Sequence, residues 1–228
     1  MNQHRVNRMK RTLQALSFLG AIYFLSSCGS GSGGLTDATY LVTFNSSWSS
    51  ASHPDNFPAS PHFSGLIGAT HNEHDVYWME NELATSGIEA MAETGSKDGL
   101  TSEINNKIII GNSDTLISEA GIAASPGSVN FSLLVKPDFP RITLVSMLAP
   151  SPDWFVGVSG VSLIENGQWL ESKTVTLFVY DAGTDDGTTY TAADVDSNPK
   201  QLVQRISISP FLVGGEIKPI GEFVFVKQ

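Results

Sequence analysis

Apolar residues recur at every second position through much of the chain beyond Thr39. The run "TYLVTF" (39–44) places Tyr40, Val42 and Phe44 on one face. The run "SVNFSLLV" (128–135) does the same with Val129, Phe131, Leu133 and Val135. A period of two is that of a half-buried strand. Five further runs are rich in β-branched and aromatic residues: "RITLVSML" (141–148), "WFVGVSGVSLI" (154–164), "KTVTLFVY" (173–180), "QRISI" (204–208) and "EFVFV" (222–226). Pro, Gly, Asn and Asp separate them. Some runs are apolar on both faces, which predicts central strands. Seven or eight short strands predict an all-β fold, a sandwich or a barrel.

The stretch 53–127 breaks the pattern. It is rich in Pro, Gly, His and small residues. "GIEAMAETG" (87–95) predicts a short helix, and "TSEINNKI" (101–108) is ambiguous. The region reads as long loops with one or two short helices or edge strands, and loops of that length usually carry function or structure of their own.

Asn166-Gly167 is a two-residue hairpin signal. A tight turn there sets Glu165 opposite Gln168. Continued without slippage, the register sets Asp153 opposite Tyr180, beside Asp181. Directly opposed residues have Cβ atoms ~5 Å apart. A bulge or a longer loop shifts this by a residue or two. The acid of "SPDW" (151–154) is thereby carried to the acids of "DAGTDDG" (181–187): Asp181, Asp185 and Asp186. Crowded carboxylates raise one another's pKa unless a positive charge lies among them. Loop carboxylates supplied with Gly suit calcium, which takes ~6–8 oxygens at ~2.3–2.6 Å in irregular geometry. Zinc prefers His and Cys, which are not adjacent here. An EF-hand does not fit: counted from Asp181, the third, sixth and twelfth positions are Gly183, Asp186 and Ala192. The alternative is a solvated acidic turn, since Asp and Gly are ordinary turn residues.

The two ends of the chain differ in character. Residues 1–27 join a basic start (Arg5, Arg8, Lys10, Arg11) to the apolar stretch "TLQALSFLGAIYFL", the layout of a secretory signal. The stretch ends in "LSSC" (25–28), which resembles a bacterial lipobox. That resemblance implies cleavage before Cys28, the only cysteine, and lipid attachment to it. Two or more acyl chains on one residue anchor stably. Gly29 in place of Asp favours, by the same resemblance, the outer membrane of the cell envelope. Residues 28–38, with "GSGSGG" (29–34), read as the lipidated Cys and a flexible tether, and 39–228 as one domain. Setting aside the four basic residues of the leader leaves 9 basic against 23 acidic side chains, a formal charge of −14. Nucleic acid and anionic lipid are poor partners for that surface, and cations are better ones.

Four segments together resemble a known family: "HPDNFPASPHFSGLIGATHN" (53–72), "GIEAMAETG" (87–95), "APSPDWFVGVSG" (149–160) and "YDAGTDDGTTY" (180–190). They look like the spondin N-terminal domain of the F-spondin and mindin type, in a bacterial lipoprotein member, over about Thr39 to Lys227. The resemblance implies an antiparallel β-sandwich similar to a C2 domain, with calcium held in loops at one end. It implies Asp153, Asp181 and Asp185 as the metal-binding acids and gives Asp186 no ligand role. Animal members carry further modules and disulfides; a single cysteine leaves no pair to bridge within this chain, and further modules are not expected here, so their adhesion partners do not transfer.

Other constellations are weaker. His53, His62, His71 and His74 fall within 22 residues, but loop packing explains them more simply than a metal with three or four ligands in defined geometry. Glu73, Asp75, Glu80, Glu82, Glu89 and Glu93 read as a solvated acidic rim rather than a glycosidase pair. No G-x-S-x-G elbow and no phosphate-binding Gly loop occurs. Trp154 reads as core, whereas Trp78 and Trp169 are surface candidates for glycan contact. The expected function is a lipid-anchored, calcium-binding, non-catalytic adhesion or binding module of the bacterial envelope, with an unidentified protein or glycan ligand. The alternatives are an envelope lipoprotein in which calcium is purely stabilising, and a calcium-dependent hydrolase.

Overall fold

The computed structural model describes residues 34–228. The leader (1–27), Cys28 and most of the tether lie outside the described residues. The chain folds into an antiparallel β-sandwich with two short helices. In order, the elements are β1 (Ala38–Ser46), β2 (His62–Phe63), β3 (Ile67–His71), α1 (Ser86–Thr94), α2 (Asp98–Ile109), β4 (Ser113–Ser118), β5 (Gly127–Val135), β6 (Arg141–Ala149) and β7 (Trp154–Ser162). Then come β8 (Ile164–Glu165), β9 (Gln168–Trp169), β10 (Ser172–Leu177), β11 (Tyr180–Asp181), β12 (Gln204–Arg205), β13 (Leu212–Val213), β14 (Glu216–Ile217) and β15 (Gly221–Lys227).

One sheet has the order β10-β15-β1-β5, and the other has β12-β11-β7-β6-β3-β4 with β2 also paired to β6. The alternating faces meet between the sheets. Tyr40, Val42 and Phe44 of β1 and Phe223 and Phe225 of β15 pack with Ile142 and Leu144 of β6 and Val156 and Val158 of β7. Strand β6 is buried along nearly its whole length because its second face is also covered. There Val145 and Met147, with Ile67 of β3 and Phe155 of β7, pack against Ile88 and Met91 of α1 and Leu100 and Ile104 of α2. The protein therefore has three layers: sheet, sheet and a helix pair.

The helix pair has local causes. Thr85 caps α1 by accepting the Ile88 N–H, and Glu103 of α2 accepts the Gly87 N–H at 2.8 Å. Gly95, with φ of 70°, ends α1 in the left-handed conformation that glycine adopts without strain. The ambiguous segment 101–108 is helical within α2. The stretch 53–127 also supplies β3 and β4, which the alternation did not reveal.

The Asn166-Gly167 hairpin forms as expected. Both residues have positive φ, and Glu165 pairs with Gln168. Its ladder does not continue to the acids. After Trp169 the chain crosses to the other sheet, where β10 pairs with β15, and it returns beside β7 only at Tyr180. The run 173–180 is therefore two strands in different sheets. Tyr180 faces Phe155 and Asp181 faces Trp154, two residues from the unslipped register. The run 204–208 contributes only Gln204–Arg205 as strand.

Candidate cation site

Asp153 sits in a tight turn just ahead of β7. The Ser151 hydroxyl accepts the Trp154 N–H at 3.1 Å, which closes that turn. Asp181 ends β11, and Asp185 follows four residues on. The pairing of β11 with β7, extended by the Ala182 N–H donating to the Asp153 carbonyl at 3.1 Å, brings the two segments together.

Asp153 is fully buried. Its Oδ2 accepts the N–H of Thr184 (2.8 Å), the N–H of Asp185 (3.2 Å) and the Thr184 hydroxyl (3.3 Å). Its Oδ1 is buried with no hydrogen-bond partner. Asp181 accepts the Gly183 N–H at 2.8 Å, where glycine has φ of 74° and a Cβ would lie 2.4 Å from the Gln201 carbonyl oxygen. Asp185 accepts the Gly187 N–H with Oδ1 (2.6 Å) and the Val195 N–H with Oδ2 (2.7 Å). The three acids thus shape the loops 181–187 and 195–197. Asp186 points elsewhere and accepts the Ser197 hydroxyl.

Burial pushes the Asp153 carboxyl up to about 6, and the Asp181 charge adds to this; the N–H and hydroxyl donors of Thr184 and Asp185 oppose it. Burial likewise raises Asp181, with Asp185 adding; the Gly183 N–H and the Trp154 indole, which approaches without closing a hydrogen bond, oppose it. None of the ion pairs among the described residues involves Asp153, Asp181 or Asp185.

A fourth acid, Glu93, belongs to this neighbourhood. Burial raises its carboxyl; Glu89, Asp153 and Asp194 add to this, while the adjacent Thr184 hydroxyl opposes it. Its Oε1 is buried without a partner. Glu93 is therefore not part of a solvated rim. No local signal announces it, because only the docking of α1 on β6 and β7 brings it there. Asp75 also leaves the rim: it is buried and ion-paired to Lys107 at 2.7 Å.

The side chains around Asp153 that could ligate an ion offer only oxygen atoms, one of them a buried unpartnered carboxylate oxygen, and no cationic side chain pairs with it. That composition fits a hard cation. Among the described residues no three His, Cys, Asp or Glu side chains stand close enough to hold an ion by themselves. An ion here would also draw on backbone carbonyls and water.

His71, His53 and His62 make packing and hydrogen-bond contacts, while His74 is exposed. His71 forms a buried chain in which the Gly160 N–H donates to Thr143 Oγ1 (3.0 Å), which lies 2.9 Å from His71 Nε2, while Nδ1 lies 2.8 Å from the Asn72 carbonyl. That arrangement suits the neutral ring. His53 is buried against Phe211, and His62 contacts the Ser60 carbonyl. Trp154 is core, as expected, but Trp78 is not a surface residue: it stacks edge-on against Phe155 and Tyr180. Trp169 packs on Tyr40 and donates to the Thr36 carbonyl.

The architecture is a two-sheet antiparallel sandwich with a helix pair on one face. The chain matches the Spondin_N family over residues 38–211, and it belongs to the spondin N-terminal domain family. It is 31% identical to Spondin-2 of Rattus norvegicus over 176 residues, 75% of this chain and 53% of that protein. It is 30% identical to Spondin-2 of Homo sapiens over the same length. Against Spondin-1 of Gallus gallus it is 30% identical over 208 residues, 82% of this chain and 25% of that protein. The chain thus spans about half the length of the Spondin-2 relatives and about a quarter of Spondin-1.

Proposed function

We propose that the protein is a calcium-stabilised, non-catalytic binding module held at the bacterial cell envelope by lipid on Cys28. One observation carries the cation: Asp153 is fully buried, lacks a cationic partner and keeps Oδ1 unpaired beside Asp181 and Glu93. An isolated buried carboxylate is costly, and a bound cation removes that cost. Asp153, Asp181 and Asp185 would hold the ion, which would supply charge neutralisation. The loops 181–187 and 195–197 would then present a surface to a protein or glycan. Membership of the spondin family supports a binding role over catalysis. The signal layout and "LSSC" support the anchor and an outer-membrane location.

Thermal unfolding with calcium and with chelator tests the cation, beside the double variant Asp181→Asn, Asp185→Asn. A ligand that binds only the folded state at ~100 times its Kd stabilises by about 2.7 kcal/mol. A calcium-dependent rise in wild type, absent from the variant, is expected. The same melting temperature in calcium and chelator overturns the cation. Loss of membrane association on Cys28→Ser is the corresponding test of the anchor.

A further inference from the structure

Strand β7 is half-partnered on one side. Its inner edge pairs with β6 along Arg141–Met147, but on the outer edge only Trp154 and Phe155 have partners, in β11. The Ala182 N–H to Asp153 carbonyl bond fixes which groups face outward. Hydrogen-bonding positions alternate along an antiparallel strand. The backbone groups of 153 and 155 face β11, so those of Gly157 face the same side, past the end of β11. The register irregularity lies beyond Val158, so it does not alter this parity at Gly157.

That outer edge borders a groove of about 800 Å³. Gly157 and Ser159 line one wall. Val175 and Thr176 of β10, the end strand of the other sheet, line the opposite wall. Val76 (56% exposed) and Met79 (50%) stand at the rim with Glu73 and Glu80. Gly157 is itself buried, so its unpaired backbone groups lie at the groove floor, and the Ser159 hydroxyl donates to the Trp78 carbonyl at 2.6 Å beside it; the apolar side chains stand above that floor.

We propose that this groove binds an extended peptide of a partner protein as an added strand on β7, with aliphatic residues alternating with lysine or arginine. Strand addition takes its affinity from main-chain hydrogen bonds and its specificity from alternate side chains. Basic residues match Glu73 and Glu80 and a chain whose acidic side chains outnumber its basic ones, 23 to 13; the groove's one cationic side chain, Arg141, is engaged by the Gly160 carbonyl at 3.1 Å. That excess disfavours a second copy of this chain, edge to edge. The extra residue of β7 at Ser159–Gly160, where Gly160 has φ of 62°, ends the regular edge, so the added strand is short. The site is separate from the acids and does not depend on a bound cation.

Amide hydrogen exchange and fluorescence anisotropy on the purified protein test the proposal. The probes are eight-residue peptides alternating valine or threonine with lysine, beside the same peptides N-methylated at alternate residues. In the protein without peptide, the Gly157 amide is expected to exchange far faster than those of Val156 and Val158. The plain peptides are expected to bind saturably and slow the Gly157 amide at least tenfold. The methylated peptides are expected to bind at least tenfold more weakly, as is the plain peptide to Val76→Arg and Met79→Arg, both at exposed positions. Three results overturn the proposal: equal binding of the methylated peptides, no slowing of Gly157 by any peptide at millimolar concentration, or slowing that follows protein concentration without peptide, which means a second copy fills the edge.

Discussion

Asp153 Oδ2 accepts the backbone N–H of Thr184 at 2.8 Å across a separation of 31 residues. This bond ties the turn before β7 to the acidic loop after β11. Oδ2 is occupied with loop architecture while Oδ1 stays unpaired, so the residue has a structural and an electrostatic role at once.

Two substitutions separate those roles. Asp153→Ala strips an acceptor from the N–H groups of Thr184 and Asp185, and should cost about 3 kcal/mol in urea unfolding. Asp153→Asn keeps an acceptor oxygen and loses the charge. In chelator it should match or exceed wild type, and in calcium wild type should lead. Wild type leading equally in both media would remove the cation from the account.

Acid sensitivity should come in part from His71. Burial pushes its imidazole below the usual value; the Asn72 carbonyl and Asp75 oppose this, and Arg141 acts with it. A histidine depressed in the folded state contributes stability that is complete above the unfolded value of about 6.5 and is lost as pH falls through the folded value. Asp153 acts in the opposite sense: raised to about 6, its contribution is present at low pH and lost as pH rises through that value. Comparison with His71→Gln isolates the histidine. The variant should lose less stability than wild type between pH 7 and acid, as followed by urea unfolding at each pH.

The Lys107–Asp75 pair joins α2 to the loop after β3. Asp75 is buried, while the Lys107 side chain is 38% exposed. Lys107→Met leaves the carboxylate with only Asn112 and Ser113 as donors. The expected loss is about 2 kcal/mol, below the ~3–5 of a wholly buried pair because water reaches the lysine. Double-mutant cycles with Asp75→Asn should return a coupling of the same order.

Gly68 marks a close approach of β3 to β6. A Cβ there would lie 1.9 Å from the Thr143 carbonyl oxygen, which is backbone and cannot step aside. Gly68→Ala should destabilise by roughly 2 kcal/mol or more, since the strands must part. An unchanged urea midpoint would mean that the sheet yields more easily than its hydrogen bonding implies.

The sequence by itself determined the all-β class, because alternation at Tyr40, Val42 and Phe44 and at Phe223 and Phe225 is imposed by the strand period and needs no partner to be legible; the choice of sandwich over barrel came from the family resemblance and not from the alternation. It also determined the Asn166-Gly167 turn, whose positive φ values those residues adopt at little cost. Strand β3 stayed hidden because "IGATH" is buried at every position, with polar Thr70 and His71 among the buried residues, so no alternation marks it. Tertiary structure alone decided that the run 173–180 divides between sheets at Leu177, since each half is equally good strand and only the partners β15 and β7 distinguish them. It also decided that Glu93 lies beside Asp153 and that the outer edge of β7 is unpaired past Phe155. Both depend on groups far apart in the chain being packed together, which no local pattern of side chains encodes.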